Sequence, residues 1–557
     1  MGKTAYHRYE ATVSWAFALL PLGAAGAVFI LPYASALAGG IVREGAALPG
    51  KNLLPVLAFT VRQAGLSTLT ALALGLPGAW LLGTGRFRGT ALIRALTGIP
   101  FAMPPILVVL GFVLFFGNSG WINRFFMTAT GTEEGPLRLL YRPAAIILAH
   151  GFYNFPLVIR LVGDGLNQTK NTYGAAAASL GAPGLKTALT ILLPLSFPAV
   201  AAAALLTFLY SFTSFSVVLV LGGGPKATTL AVEIYRYARI SLDYHRAGLL
   251  ALAETLVAGG AFLAFLFFEH RIRRLTVRTE LRYQVMEKQN RSLPALLGIT
   301  LYCLVTAFFV LGPLISVPVE SFLYKPSRTA PRGFSLHWWQ SLETAGTLFP
   351  ALGRSLILAV LSATLASLLA VLAAAAVKTA EKPVPGRSSF LGTLIRIGVT
   401  APLSSSGIVL SLGWLMLYGR DHARSLWAVV LIHGVTALPF AFNSLSQGFN
   451  GLPDNLMNAA SIFGGGPAKR ILTVALPLFF RRIRSAWAFS AVLSLGELNA
   501  VLMLGMEEWE TLPLLIYRAA GAYRYGTACA AGTLLILCCA GALLLSEAGS
   551  GRNGHGA

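Results

Sequence analysis

Charge is what this chain has least of. Only 11% of its 557 residues are Asp, Glu, Lys or Arg, against roughly a quarter in a soluble globular protein. So few charges cannot clothe a water-exposed surface, which excludes a soluble domain. Acid is the scarcer sign, with 21 Asp and Glu against 43 Lys and Arg. Cysteine is nearly absent, at four. Cys303, Cys538 and Cys539 lie inside apolar runs and Cys529 opens one, with no His or acidic residue at metal-ligand spacing. They read as packing residues, and no metal site is expected. No Walker sequence occurs, and Gly222-Gly223-Gly224 is not followed by a helix start with a Lys at phosphate-loop spacing. Nor is there a His/acid cluster or a nucleophile beside a base. The chain itself is therefore not expected to be an enzyme or to hold a cofactor.

Apolar residues, by contrast, make up 55% of the chain and come in long uninterrupted runs. About 20 such residues cross a bilayer core of ~30 Å, and twelve runs qualify. They begin with Thr12–Tyr33, include Leu394–Leu417 as the ninth and Ala486–Leu504 as the eleventh, and end with Ala528–Leu545. Backbone polar groups in lipid must be bonded within their own element, so the expected class is all-α: a polytopic membrane protein of about twelve transmembrane helices. The first run follows Lys3 and Arg8 as a signal peptide would, but it is too long for a signal core and reads as a retained helix. The net charge of +22 then belongs to cationic loops at the membrane surface rather than to nucleic-acid binding. One strong boundary appears, a polar linker over residues 269–293 with Arg271, Arg273, Arg274, Arg278, Arg282, Lys288 and Arg291. It separates a first half, residues 1–268, from a second, residues 294–557. The bias of Lys and Arg favours cytoplasmic termini and a cytoplasmic linker.

The two halves repeat each other. Gly181 and Gly464 lie 283 positions apart (464 − 181), and the same offset relates His150-Gly151 to His433-Gly434, Pro156 to Pro439 and Gly165 to Gly448. It also relates Asn167 to Asn450, Ala176-Ala177 to Ala459-Ala460, and Leu193-Pro194-Leu195 to Leu476-Pro477-Leu478. Six spans per half is an even number, so both halves share one orientation. A parallel repeat puts a pseudo-twofold axis along the membrane normal, with a pathway expected where the halves meet.

Between the fourth and fifth span of each half lies a polar loop of fixed rhythm. The first reads Ala175-Ala176-Ala177, Gly181, nine residues, then Ile191-Leu192-Leu193-Pro194. The second reads Asn458-Ala459-Ala460, Gly464, nine residues, then Val474-Ala475-Leu476-Pro477. Small side chains, a glycine-permitted turn and a returning helix would let a partner approach the backbone closely. Here the chain resembles the permeases of binding-protein-dependent ABC importers, whose coupling loops carry Glu-Ala-Ala, three residues, Gly, nine residues, Ile, any residue, Leu-Pro. The leading Glu is Ala175 in one copy and Asn458 in the other. The fused halves are similar to the thiamine and ferric-iron branch. Thr213-Ser214-Phe215, Leu221-Gly222-Gly223-Gly224-Pro225 and Ala227-Thr228-Thr229 look like thiamine permeases in particular, and Ser494-Leu495-Gly496-Glu497 is shared more widely.

The resemblance implies a bacterial inner-membrane permease. Its partners would be two copies of an ATPase that binds ATP and magnesium, and an extracytoplasmic substrate-binding protein. Ala175, Ala176, Ala177, Gly181, Pro194, Asn458, Ala459, Ala460, Gly464 and Pro477 would form the docking loops. For the pathway, ionisable or polar groups within spans are the candidates: Glu497, the matched His150 and His433, and Thr213, Ser214 and Ser216. Hydrogen bonding between helices is the plainer role for each. A secondary transporter with parallel repeats is the rival from another class, and ferric iron is the rival substrate.

Overall fold

The apolar runs fold as helices because lipid offers their backbones no other partner. The computed structural model describes residues 15–41, 53–84, 98, 103–222, 224, 227–276, 293–325, 332–380, 390–450, 456, 459–460, 462, 467–506 and 508–547. Among these, ten helices are long and apolar enough to cross a membrane. Two of the twelve expected spans take a different form. The ninth is broken: Phe390–Thr400 and a 3-10 turn at Ala401–Ser404 meet the Gly407–Ala423 helix at 102°. Pro402 stands at the start of the 3-10 turn, and the Ser406 hydroxyl accepts from Val409 N at 3.3 Å to cap the next helix. The eleventh is also divided. Its Leu476–Gly496 helix carries Arg481, Arg482 and Arg484, stops at Gly496, and chain direction resumes helically at Asn499–Leu504. Glu497 therefore sits at a break, not deep inside a continuous span.

The chain forms two compact units. One comprises Met1–Ala46, Ile234–Ala251 and Leu336–Ala557; the other comprises Ala47–Glu233 and Leu252–Ser335. Each unit thus takes its leading helix from the opposite half of the sequence. In the first unit, Leu31–Ile41 packs on Gly407–Ala423, where Trp414 Nε1 donates to Val28 O at 2.9 Å and Gly413 lies directly on Pro32 O. In the second, Leu293–Ser321 packs on Pro105–Phe116, where Gly111 lies directly on Pro313 O. A side chain at either glycine would strike backbone, so both contacts need glycine. The linker at residues 277–292 lies outside the described residues.

Alanine supplies much of the first unit's core. The Leu348–Ala380 helix buries Ala370 and the run Ala373–Ala376 against Leu438, Phe442 and Phe449 of Leu426–Asn450. Small side chains let helices approach where apolar burial alone gives no preference over lipid. Ala71, Ala79, Val158, Ile159 and Val162 form the matching seam of the second unit. Leu54, Leu256, Leu301 and Leu544 point outward and exposed, which suits contact with lipid tails.

Candidate functional site

The first polar loop is a helical hairpin. The Pro143–Thr169 helix widens into a π-turn at Lys170–Gly174 and ends in a short helix, Ala175–Ser179. Gly181 then takes φ +74°, the left-handed region that favours glycine. Its N–H donates to Ala178 O at 3.0 Å and Ala182 N donates to Ala177 O at 3.0 Å, closing the helix end. The chain returns through Gly184–Thr187, a second π-turn at Ala188–Leu192, and the Leu193–Phe212 helix with exposed Pro194 in its first turn. Ala177 is buried, whereas Ala176, Ala178 and Ser179 are exposed and Leu180 is 87% exposed. The tip is thus a ledge of small side chains around one projecting leucine, a surface that a partner can approach to backbone distance. Of Ala175 only the helical backbone is described.

The returning limb of the second copy has the same boundaries. Pro467–Arg470, the π-turn Ile471–Ala475 and the helix start at Leu476 each fall 283 residues after their counterparts. Ala459 is exposed, Ala460 half-buried and Pro477 exposed, while Asn458 and Gly464 lie outside the described residues.

Inside the helices the polar candidates are fastened to neighbours within each repeat. In the first, buried His150 Nδ1 lies 3.1 Å from Gln63 Oε1, and Gln63 Nε2 donates to Ser211 O at 2.7 Å. Asn154 Nδ2 donates to Ser211 Oγ at 3.2 Å. In the second, His433 Nδ1 lies 2.9 Å from Ser494 Oγ, and its Nε2 lies 3.1 Å from Glu497 Oε2. Ser211 and Ser494 correspond by the repeat. Glu497 Oε1 accepts from Asn499 N and Oε2 from Ala500 N, each at 3.0 Å, so the carboxylate caps the Asn499–Leu504 helix. Its side chain stays 14% exposed. Its counterpart in the first half is Ser214, half-buried between Thr213 and Phe215. Thr213 Oγ1 donates to Leu209 O at 2.9 Å, committing its proton to the helix end, and Ser216 is buried in the first turn of Ser216–Leu221. The two histidines are therefore brought to matched positions against the fifth-span helices, and among the described residues the second has the Glu497 carboxylate beside it. Among the described residues, no group of three His, Cys, Asp or Glu could hold a metal.

Gln63 and Ser211 were not singled out by sequence reasoning, although the 283-residue spacing from Ser494 could have marked Ser211. Also missed was a pair of hydroxyl caps. Thr60 Oγ1 accepts from Leu230 N at 3.1 Å, and Ser355 Oγ accepts from Leu512 N at 2.8 Å, at matching helix starts in the two repeats. Ser355→Ala leaves that N–H buried without its acceptor and should cost about 1 kcal/mol or somewhat more. The check is the thermal inactivation midpoint of the detergent-purified protein, which should fall; an unchanged midpoint would refute the cap.

Comparison with known proteins adds the rest. The family model for the binding-protein-dependent transport system inner membrane component matches residues 75–316. The thiamine transport system permease protein of Brucella suis is 30% identical over 536 residues, covering 94% of this chain and 91% of the relative. That of Haemophilus influenzae is 28% identical over 549 residues, covering 93% and 95%. A putative 2-aminoethylphosphonate transport system permease protein of Salmonella typhi is 29% identical over 253 residues, covering 44% of this chain and 87% of that protein. Such permeases are multi-pass transport subunits, not enzymes, and leave ATP hydrolysis to a separate subunit. Ten helices long and apolar enough to cross a membrane fit that description, and with the similarity running over nearly the full length the chain belongs to the family of inner-membrane components of binding-protein-dependent transport systems.

Proposed function

We propose that this chain is the permease subunit of an ATP-driven importer for thiamine or its phosphates. The observation that carries the substrate is the similarity to thiamine permeases over more than nine-tenths of the chain, where the phosphonate permease matches less than half of it. In this reading both termini and both hairpins face the cytoplasm, and the linker joins a first half at residues 1–268 to a second at 294–557. A substrate-binding protein delivers thiamine to the outer face. Two ATPase subunits, which bind the ATP and magnesium, each receive one hairpin. Their closure on ATP drives the hairpins, and the helices rooted in them switch the pathway between outward and inward access. Support for the hairpin role lies in the form of the first copy, with its left-handed Gly181 and small exposed side chains, and in the returning helix that enters directly from the loop in each repeat. A pathway built this way should bind its solute weakly, because a tight site would retain the solute after switching.

Uptake of labelled thiamine by a strain lacking this chain is the test. It should fall sharply and return on complementation. Unchanged thiamine uptake alongside lost ferric-iron uptake would overturn the substrate and leave the importer.

A further inference from the structure

The returning limb of each hairpin shows the same apolar side to its surroundings. Leu189 and Leu472, which correspond by the 283-residue offset, are 57% and 60% exposed, and Phe197 and Phe480, which also correspond, are 60% and 63% exposed. Both pairs lie at the hairpin end of the fifth and eleventh spans, where exposed apolar groups of this size meet lipid. Charge then divides the repeats. Residues 467–496 carry Lys469, Arg470, Arg481, Arg482 and Arg484 with no Asp or Glu, whereas the matching residues 184–213 carry Lys186 alone. Pro198, Ala199 and Ala201 stand where the three arginines do.

The arginines share helix faces with the lipid-facing groups. Arg481 follows exposed Leu478 by three residues and Arg484 follows Phe480 by four, spacings that put side chains on one face. Helical side chains lean toward the N-terminus, which here is the hairpin end. The long guanidinium arms therefore reach back beside Leu478 and Phe480 toward the membrane surface. Arg481 and Arg482 are exposed and make no hydrogen bond or ion pair with any described residue. Arg482 also stands 5.9 Å from the centre of the Phe479 ring, a cation–π distance. A cation held beside lipid is costly unless an anion meets it, and for Arg481 and Arg482 that anion has to come from outside the described residues.

We infer that the returning limb of the second hairpin binds the headgroup phosphate of an anionic phospholipid from the adjoining leaflet. Arg481 and Arg482 would hold the phosphate, and Leu478 and Phe480 would lie along the acyl chains. Arginine suits the task because its planar fork bonds two phosphate oxygens at once. The exposed apolar neighbours, present in both repeats, favour a lipid over an acidic protein surface. The first hairpin lacks the arginines, so lipid fastens one hairpin and leaves its mate free. That difference in hairpin movement rests on the coupling reading above, whereas the binding itself does not.

The test is a site-specific cross-link. Full-length protein carrying Phe480→p-benzoylphenylalanine, or Phe197→p-benzoylphenylalanine as its counterpart, is placed in nanodiscs with and without the ATPase subunit. The nanodiscs hold equal parts of palmitoyl-oleoyl phosphatidylglycerol and palmitoyl-oleoyl phosphatidylcholine, and mass spectrometry after photolysis counts each attached lipid. Position 480 should capture phosphatidylglycerol at least fivefold over phosphatidylcholine, and position 197 should show no such preference. Arg481→Gln with Arg482→Gln should bring the ratio at 480 down to that at 197. If the double variant misfolds, Arg481→Gln alone should at least halve the preference. Equal ratios at the two positions, an undiminished ratio in whichever arginine variant folds, or cross-linking to the ATPase subunit in place of lipid would overturn the site. Because thiamine uptake is not the readout, a failure here leaves the transport assignment standing, and a failed uptake assay leaves this site standing.

Discussion

Replacing Gly181 and Gly464 together by valine is expected to abolish co-purification of the ATPase subunit and to reduce thiamine uptake to the level of the deletion strain. The reason is conformational. At φ +74° an L-residue with a branched Cβ is strained by roughly 1–2 kcal/mol or more, and the hairpin relieves that strain by abandoning its turn. Crowding is not the cause, since a Cβ at Gly181 would meet nothing within 4 Å. Gly181→Asn separates the two explanations, because asparagine tolerates the left-handed region. It should keep most ATPase association, and a loss as complete as valine's would point to the added bulk instead. For Gly464 the expectation rests on the repeat. Normal co-purification of the double valine variant would count heavily against docking through these loops.

The second large effect is expected at Glu497. Its carboxylate joins three things: the His433 imidazole on the Leu426–Asn450 helix, and the N–H groups of Asn499 and Ala500 at the start of a short helix. Glu497→Ala strands those donors at a break within the bilayer region, at a cost of about 2–5 kcal/mol for a truncated, largely buried charge. Uptake should fall by one to two orders of magnitude. Glu497→Gln keeps an acceptor oxygen for the backbone and should retain more activity. A double-mutant cycle with His433→Ala should give a coupling energy of about 1–2 kcal/mol in stability, as for groups in direct contact. Additive effects would show that the histidine and the carboxylate act separately, and wild-type uptake by Glu497→Ala would remove Glu497 from the account.

Much of this was legible in the sequence, because a duplication writes its geometry twice. The offset fixed by Gly181 and Gly464 carries over to helix boundaries at Gly184 and Pro467, Ala188 and Ile471, Leu193 and Leu476. The two breaks were harder to see. Hydropathy reads Leu394–Leu417 and Ala486–Leu504 as continuous, since a kinked apolar segment is as apolar as a straight one. Pro402 with Ser404, Ser405 and Ser406, and the Gly496-Glu497 pair, were the local signals. Helix exchange left no trace at all. Lipid and protein neighbours are equally apolar to Leu31–Ile41 or Leu293–Ser321, so composition cannot say which half a helix joins. Gly413 on Pro32 and Gly111 on Pro313 decide it through close approach. The partner of His150 was likewise out of reach, because Gln63 lies 87 residues from it.

The central claim is that the paired hairpins face the compartment where ATP is hydrolysed, and side-specific labelling of Leu180→Cys tests it most directly. Leu180 is 87% exposed at the hairpin tip, and Cys303, Cys529, Cys538 and Cys539 are first replaced by serine or alanine. A membrane-impermeant maleimide should label the cysteine in inside-out vesicles, leave it unlabelled in right-side-out vesicles, and lose access when the ATPase is bound. Labelling from the outer face, with no protection by the ATPase, would contradict the account.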